Sequence, residues 1–93
     1  MEYKIVFTKQ ADKDLDNIKE YIYCDNKAAA LCVVQEITKN IDQLKTMPSI
    51  GKAGRVLRTR ELVISKYPYR VPYQVRDDIV YILRILHTSR KWD

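Results

Sequence analysis

One histidine stands in this chain, His87. Histidine is the side chain whose ordinary pKa lies near neutrality. Seven arginines, Arg55, Arg58, Arg60, Arg70, Arg76, Arg84 and Arg90, stand in the second half and none in the first. An imidazole beside a guanidinium can support metal-independent cleavage of RNA. That reaction needs a base for the 2′-hydroxyl, a cation for the charge building on phosphorus, and an acid for the leaving 5′-oxygen. Arg70 would hold the phosphate and His87 would act as the base. Glu61 would be a partner base or an ion-pair partner for a nearby arginine. The alternative for His87 is a plain surface histidine.

The charge supports an anionic partner. The 93 residues carry 17 Lys plus Arg against 12 Asp plus Glu, a net charge of +5. Residues 1–47 hold seven Lys, no Arg and eight acids; residues 48–93 hold three Lys, seven Arg and four acids. Arginine is suited to bidentate contact with phosphate or carboxylate. The basic half therefore faces a polyanion or an acidic partner, unless it is only a soluble surface. Arg58, Arg60 and Arg76 are candidate nucleic-acid contacts. So are Arg90, Lys91 and Trp92 near the carboxyl end, because two cations beside an indole can hold a phosphate and stack on a base. Otherwise Trp92 packs the end of the chain onto the domain.

Other chemistries find no footing. No phosphate loop, CxxC pair or HExxH is written in the chain. Cys24 and Cys32 straddle a helix break with one distant histidine, so neither a zinc site nor a disulfide framework is expected. No metal and no cofactor are expected. No apolar run approaches the roughly 18 residues of a membrane span. Without a secretion signal at Met1, the expected location is the cytoplasm and no membrane partner is expected.

Residues 1–93 should form one domain. Tyr3-Lys4-Ile5-Val6-Phe7 alternates as a strand, and Thr8 can cap a helix start. Ala11, Leu15, Ile18 and Ile22 share one face of a helix over 9–23. Asp25-Asn26 breaks it, and Asn26 can cap a second helix over 27–46. Ala30, Val33, Val34, Ile37, Ile41 and Leu44 form that helix's buried stripe. The short connection makes an antiparallel hairpin. Strands over 61–65, 69–76 and 79–87 come next, the last central and covered on both faces. Pro72 marks the middle one as an edge strand or the site of a bulge. Tyr3, Tyr21, Tyr23, Tyr73 and Tyr81 belong in or beside the core. The fold class is α+β: an N-terminal strand, an antiparallel helical hairpin, then a three-stranded antiparallel meander, with the helices packed on one sheet face.

Pairing across the Asp77-Asp78 turn sets Arg76 opposite Ile79, Gln74 opposite Tyr81, Pro72 opposite Leu83 and Arg70 opposite Ile85. Paired side chains point the same way. Val71, Tyr73, Val75, Val80 and Ile82 then form a core face. Arg70, Gln74, Arg76, Tyr81 and His87 form a polar face. A one-residue slip at Pro72 would separate Arg70 from His87.

Ordered segments of this chain resemble the RelE/ParE superfamily of toxins from bacterial type II toxin–antitoxin systems. They are residues 11–18 with Tyr21-Ile22, the 25–29 break, Met47-Pro48 with Gly51, and Arg60-Glu61-Leu62-Val63. The strongest stretch is Tyr69-Arg70-Val71-Pro72-Tyr73-Gln74-Val75, Asp77-Asp78, residues 79–86 and His87-Thr88-Ser89-Arg90-Lys91-Trp92. The resemblance implies a cognate antitoxin whose C-terminal segment wraps the toxin, with His87 a contact for it if not catalytic. It also implies one of two mechanisms. RelE-like members cut mRNA in the ribosomal A site. In them an arginine at the position of Arg70 binds the scissile phosphate, and some carry a catalytic histidine where His87 stands. Other nuclease members carry lysines where this chain has Glu61 and Val63. ParE-like members inhibit DNA gyrase and cut nothing, and the long hairpin resembles theirs. The first expectation is mRNA cleavage by Arg70, His87 and Glu61, with ribosome and mRNA as partners. The alternatives are gyrase inhibition and a basic nucleic-acid-binding module without toxicity.

Overall fold

Side-chain caps set the first boundaries of the chain. A computed structural model describes residues 2–54 and 56–88. Strand β1, Lys4–Phe7, ends at Thr8. The Thr8 hydroxyl accepts from the Ala11 N–H at 3.2 Å and so starts helix α1, Lys9–Asp25. Asn26 works in both directions. Its backbone N–H donates to the Ile22 carbonyl at 2.8 Å, and its side chain accepts from the Ala29 N–H at 3.1 Å. Helix α2, Lys27–Asp42, begins there. It stops short of the expected residue 46, because the chain tightens into a 3₁₀ turn over Gln43–Lys45.

The two helices pack together as a hairpin. Ala11 from α1 joins Val33, Ile37, Ile41 and Leu44 beneath them. Val34, expected in the stripe, is only half-buried. Across from them lie Leu62, Ile64, Val71, Tyr73, Val80 and Ile82 of the sheet. Burying one large aliphatic side chain is worth about 1.5–3 kcal/mol, so these contacts outweigh the modest helix propensity of a short hairpin.

The sheet contains β2 (Lys52–Ala53), β3 (Arg60–Ile64), β4 (Tyr69–Arg76), β5 (Ile79–Ile82) and β6 (Leu86–His87). Its order is β1-β5-β4-β3-β2, and β6 also pairs with β4. β3, β4 and β5 form the expected antiparallel meander. β1 joins it parallel to β5, with Ile5 opposite Val80. β5 is therefore central, but it is not covered on both faces: Val80 and Ile82 are buried while Ile79 and Tyr81 are half-buried. In the turn, Asp77 adopts a φ of 56°.

Pro72 redirects the sheet. It does not lie on an edge, since β4 runs between β3 and β5. It does mark a bulge. The Pro72 carbonyl accepts from the N–H of both Leu83 (2.9 Å) and Arg84 (3.5 Å). Proline has no N–H to return to that neighbour. The Leu83 carbonyl instead accepts from the Thr8 hydroxyl at 3.1 Å. One extra residue is absorbed over 83–85, so the expected strand over 79–87 is two strands. Regular pairing resumes with Arg70 opposite Leu86 and Tyr69 opposite His87. Pro72 thus faces Leu83 as expected but Arg84 as well, and beyond the bulge the expected pair of Arg70 with Ile85 is corrected by one residue to Arg70 with Leu86.

Candidate functional site

That single residue decides which side chains share a face. On β3 and β4, Leu62 lies opposite Val71, and Ile64 opposite Tyr69. These belong to or pack on the core beneath the helices. His87 pairs with Tyr69 and so projects to that helix side. Arg70, one residue along, projects to the other side. The expected polar face joining Arg70 with His87 does not form. A slip of one residue sends every side chain beyond it to the opposite face.

Glu61 goes with Arg70. The two lie diagonally on adjacent strands, and Arg70 Nη1 approaches Glu61 Oε2 at 3.3 Å. Arg70 is 5% exposed and Glu61 4%. Of the two roles open to Glu61, the geometry displays the ion pair. A guanidinium committed to a buried carboxylate has part of its charge already answered.

His87 goes with the helices. Its ring meets Tyr69 edge to face, centroids 5.5 Å apart and planes at 83°. Both line a cavity of about 480 Å³ between α1 and β6, together with Asp14, Asn17, Tyr21 and Leu86. Asp14 ties the bulge to α1. Its carboxylate accepts from Arg84 Nε at 2.7 Å, Arg84 Nη2 at 3.2 Å and the Ile85 N–H at 3.0 Å. The hydrogen bond to Asp14 raises the Arg84 pKa above its ordinary value.

Among the described residues, the candidate cations Arg60 and Arg76 project to opposite sides of the sheet. Arg60 lies opposite Tyr73 on the helix side, where its Nη1 donates to the carbonyls of Gly51 (2.9 Å) and Ser49 (3.3 Å). Arg76, exposed at the end of β4, projects to the face of Arg70. Arg58 is exposed in the loop before β3. Arg90, Lys91 and Trp92 lie outside the described residues.

Sequence reasoning misses several contacts. Asp14 flanks the buried stripe of α1, but nothing local names a partner 70 residues away. Tyr21 is 78% exposed and Tyr23 49%, against the expectation of a place in or beside the core. Tyr73 is fully buried as expected. Its hydroxyl donates to the Pro48 carbonyl at 2.7 Å and accepts from the Gly51 N–H at 2.9 Å. Burial raises its pKa, while the Gly51 hydrogen bond and Arg60 pull the other way. Gly51 presses so closely that an added Cβ would lie 2.6 Å from that hydroxyl.

This architecture is that of the RelE/ParE toxins. The family model for the ParE toxin of the type II toxin–antitoxin system parDE matches residues 5–92. The chain belongs to that family. It is 39% identical over 89 residues to the putative toxin Y4kP of Sinorhizobium fredii, covering 96% of this chain and 92% of that one. It is 33% identical over 87 residues to toxin RelE2 of Caulobacter vibrioides, covering 94% and 97%. Among solved structures, a chain of the chromosomal ParDE system from P. aeruginosa superposes with a TM-score of 0.87 at 25% identity, covering 95% and 98%. A chain of the RelBE2 toxin–antitoxin complex from Mycobacterium tuberculosis gives 0.63 at 26% identity, covering 94% and 99%.

Proposed function

We propose that this chain arrests growth by inhibiting DNA gyrase and does not cut RNA. The observation that carries this reading is the opposite projection of Arg70 and His87. General acid–base cleavage needs its groups within hydrogen-bond reach of one phosphodiester. Two side chains on opposite sides of a sheet cannot meet there. The Arg70–Glu61 pair supports the same conclusion, because the cation that would hold the phosphate faces a carboxylate instead. Of the two mechanisms that the superfamily resemblance implies, gyrase inhibition needs no such site. The family match and the likeness to the P. aeruginosa ParDE chain favour it as well.

The reading includes a cognate antitoxin, as in the ParDE and RelBE2 systems to which the chain is similar. It also places the action in the cytoplasm, where gyrase works. Among the described residues no helix is long and apolar enough to cross a membrane. The test is a supercoiling reaction of relaxed plasmid, gyrase and ATP, without ribosomes. Purified protein should block the appearance of supercoiled product, and added cognate antitoxin should restore it. Undiminished supercoiling at a large molar excess of protein would refute the reading.

A further inference from the structure

Between β2 and β3, residues 56 and 57 present apolar side chains to solvent. Leu57 is 85% exposed and Val56 48%. The stem beneath them is closed. The Gly54 N–H donates to the Thr59 carbonyl at 2.9 Å. The Thr59 N–H and hydroxyl both reach the Val56 carbonyl, at 3.1 and 2.6 Å. Arg58 comes after Leu57 with a φ of 66°, a left-handed conformation that a residue with a side chain seldom adopts. Strain of that kind persists where the surroundings impose it, and it gathers at binding sites.

Beside these residues lies a pocket of about 280 Å³, lined by Ala53, Arg58, Thr59, Arg60 and Val75. Arg60 is held in place by two backbone carbonyls that engage only one of its nitrogens. Among the described residues no carboxylate forms an ion pair with Arg58 or Arg60. Two guanidiniums over an apolar floor fit a carboxylate carried on a short aliphatic stem. A phosphate backbone would reward the arginines but not an exposed leucine at the tip. An apolar centre with an arginine rim is the composition of a protein contact.

We propose that residues 56–59, with Arg60 beside them, are the surface by which this toxin grips its target protein. Leu57 enters an apolar depression, while Arg58 and Arg60 take an Asp or Glu side chain of the target into the pocket. The proposal rests on the gyrase reading, in which the target is a protein rather than a nucleic acid.

The variants Leu57→Ser, Arg58→Glu and Arg58→Lys test it. Each is read by growth arrest on induction, by gyrase inhibition with purified protein, and by thermal melting. Leu57→Ser and Arg58→Glu should each lose at least about tenfold in inhibitory potency, the loss of roughly one well-placed contact, with melting unchanged. Arg58→Lys keeps the charge and should stay nearer the wild type. Full potency in both Leu57→Ser and Arg58→Glu overturns the proposal. So does a pattern in which only charge matters and Leu57→Ser still binds a DNA or RNA oligonucleotide as tightly as wild type. If the wild type arrests growth without touching supercoiling, the gyrase reading fails by itself. The surface is then judged on arrest alone: its loss in the two variants upholds the proposal, and its retention overturns it.

Discussion

The two faces of the sheet around β4 treat their polar residues differently. On one face a guanidinium and a carboxylate, Arg70 and Glu61, are buried against each other. On the other, His87 and Tyr69 line a cavity against the first helix. Residues one position apart on a strand thus come under different constraints. Arg70 has spent its charge on Glu61 within its own face, and the face with His87 contains no arginine from β4. The difference teaches that a one-residue bulge opposite a proline can send two residues expected on one face to opposite faces of a sheet.

The largest effect should come from breaking the buried pair. Removing the carboxylate beside a buried guanidinium typically costs about 3–5 kcal/mol. Glu61→Leu should therefore shift urea unfolding by an amount of that order. Combining it with Arg70→Met should recover most of the loss, since an apolar pair of similar volume needs no charge partner. A single variant as stable as the wild type would show that the two faces are not distinguished by this pair.

Tyr73→Phe should cost less, about 1–2 kcal/mol, by stranding the Gly51 N–H and the Pro48 carbonyl. It also carries a pH signature. The folded pKa of Tyr73 is raised above its ordinary value of 10.0. The folded state therefore holds this proton more tightly than the unfolded chain. That contribution is complete below the ordinary value of 10.0 and fades as pH rises through it toward the raised one. Stability measured across this alkaline range should fall less steeply in Tyr73→Phe. Parallel curves would strip the hydroxyl of this role.

His87→Ala should change stability least, by no more than about 0.5–1 kcal/mol for a half-buried ring at a cavity edge. Induced cells should still stop growing. Loss of toxicity with an intact fold would restore His87 to the mechanism and sharpen attention on its cavity.

Much of this fold is legible before coordinates. Thr8 and Asn26 announce both helix starts through capping chemistry, and the Ala11 and Ile37 stripes announce the buried faces. The meander emerges from alternation and from the Asp77-Asp78 turn. The site is less legible because it depends on parity. Pro72 signals a bulge, yet it does not say which strand absorbs the extra residue, and that choice sends His87 to one face or the other. The Asp14–Arg84 clamp is silent for a related reason: an acid flanking a helical stripe has no local cue for a partner across the fold. The two-residue strand at Lys52–Ala53 is likewise too short to leave a periodic signal.

The separation of Arg70 from His87 is tested most directly on ribosomes. A 5′-labelled mRNA is held with a defined codon in the A site, incubated with purified protein, and its ends are mapped. Full-length message is the predicted product at every protein concentration. An A-site cut by the wild type that disappears in both Arg70→Ala and His87→Ala would contradict the separation of the two groups.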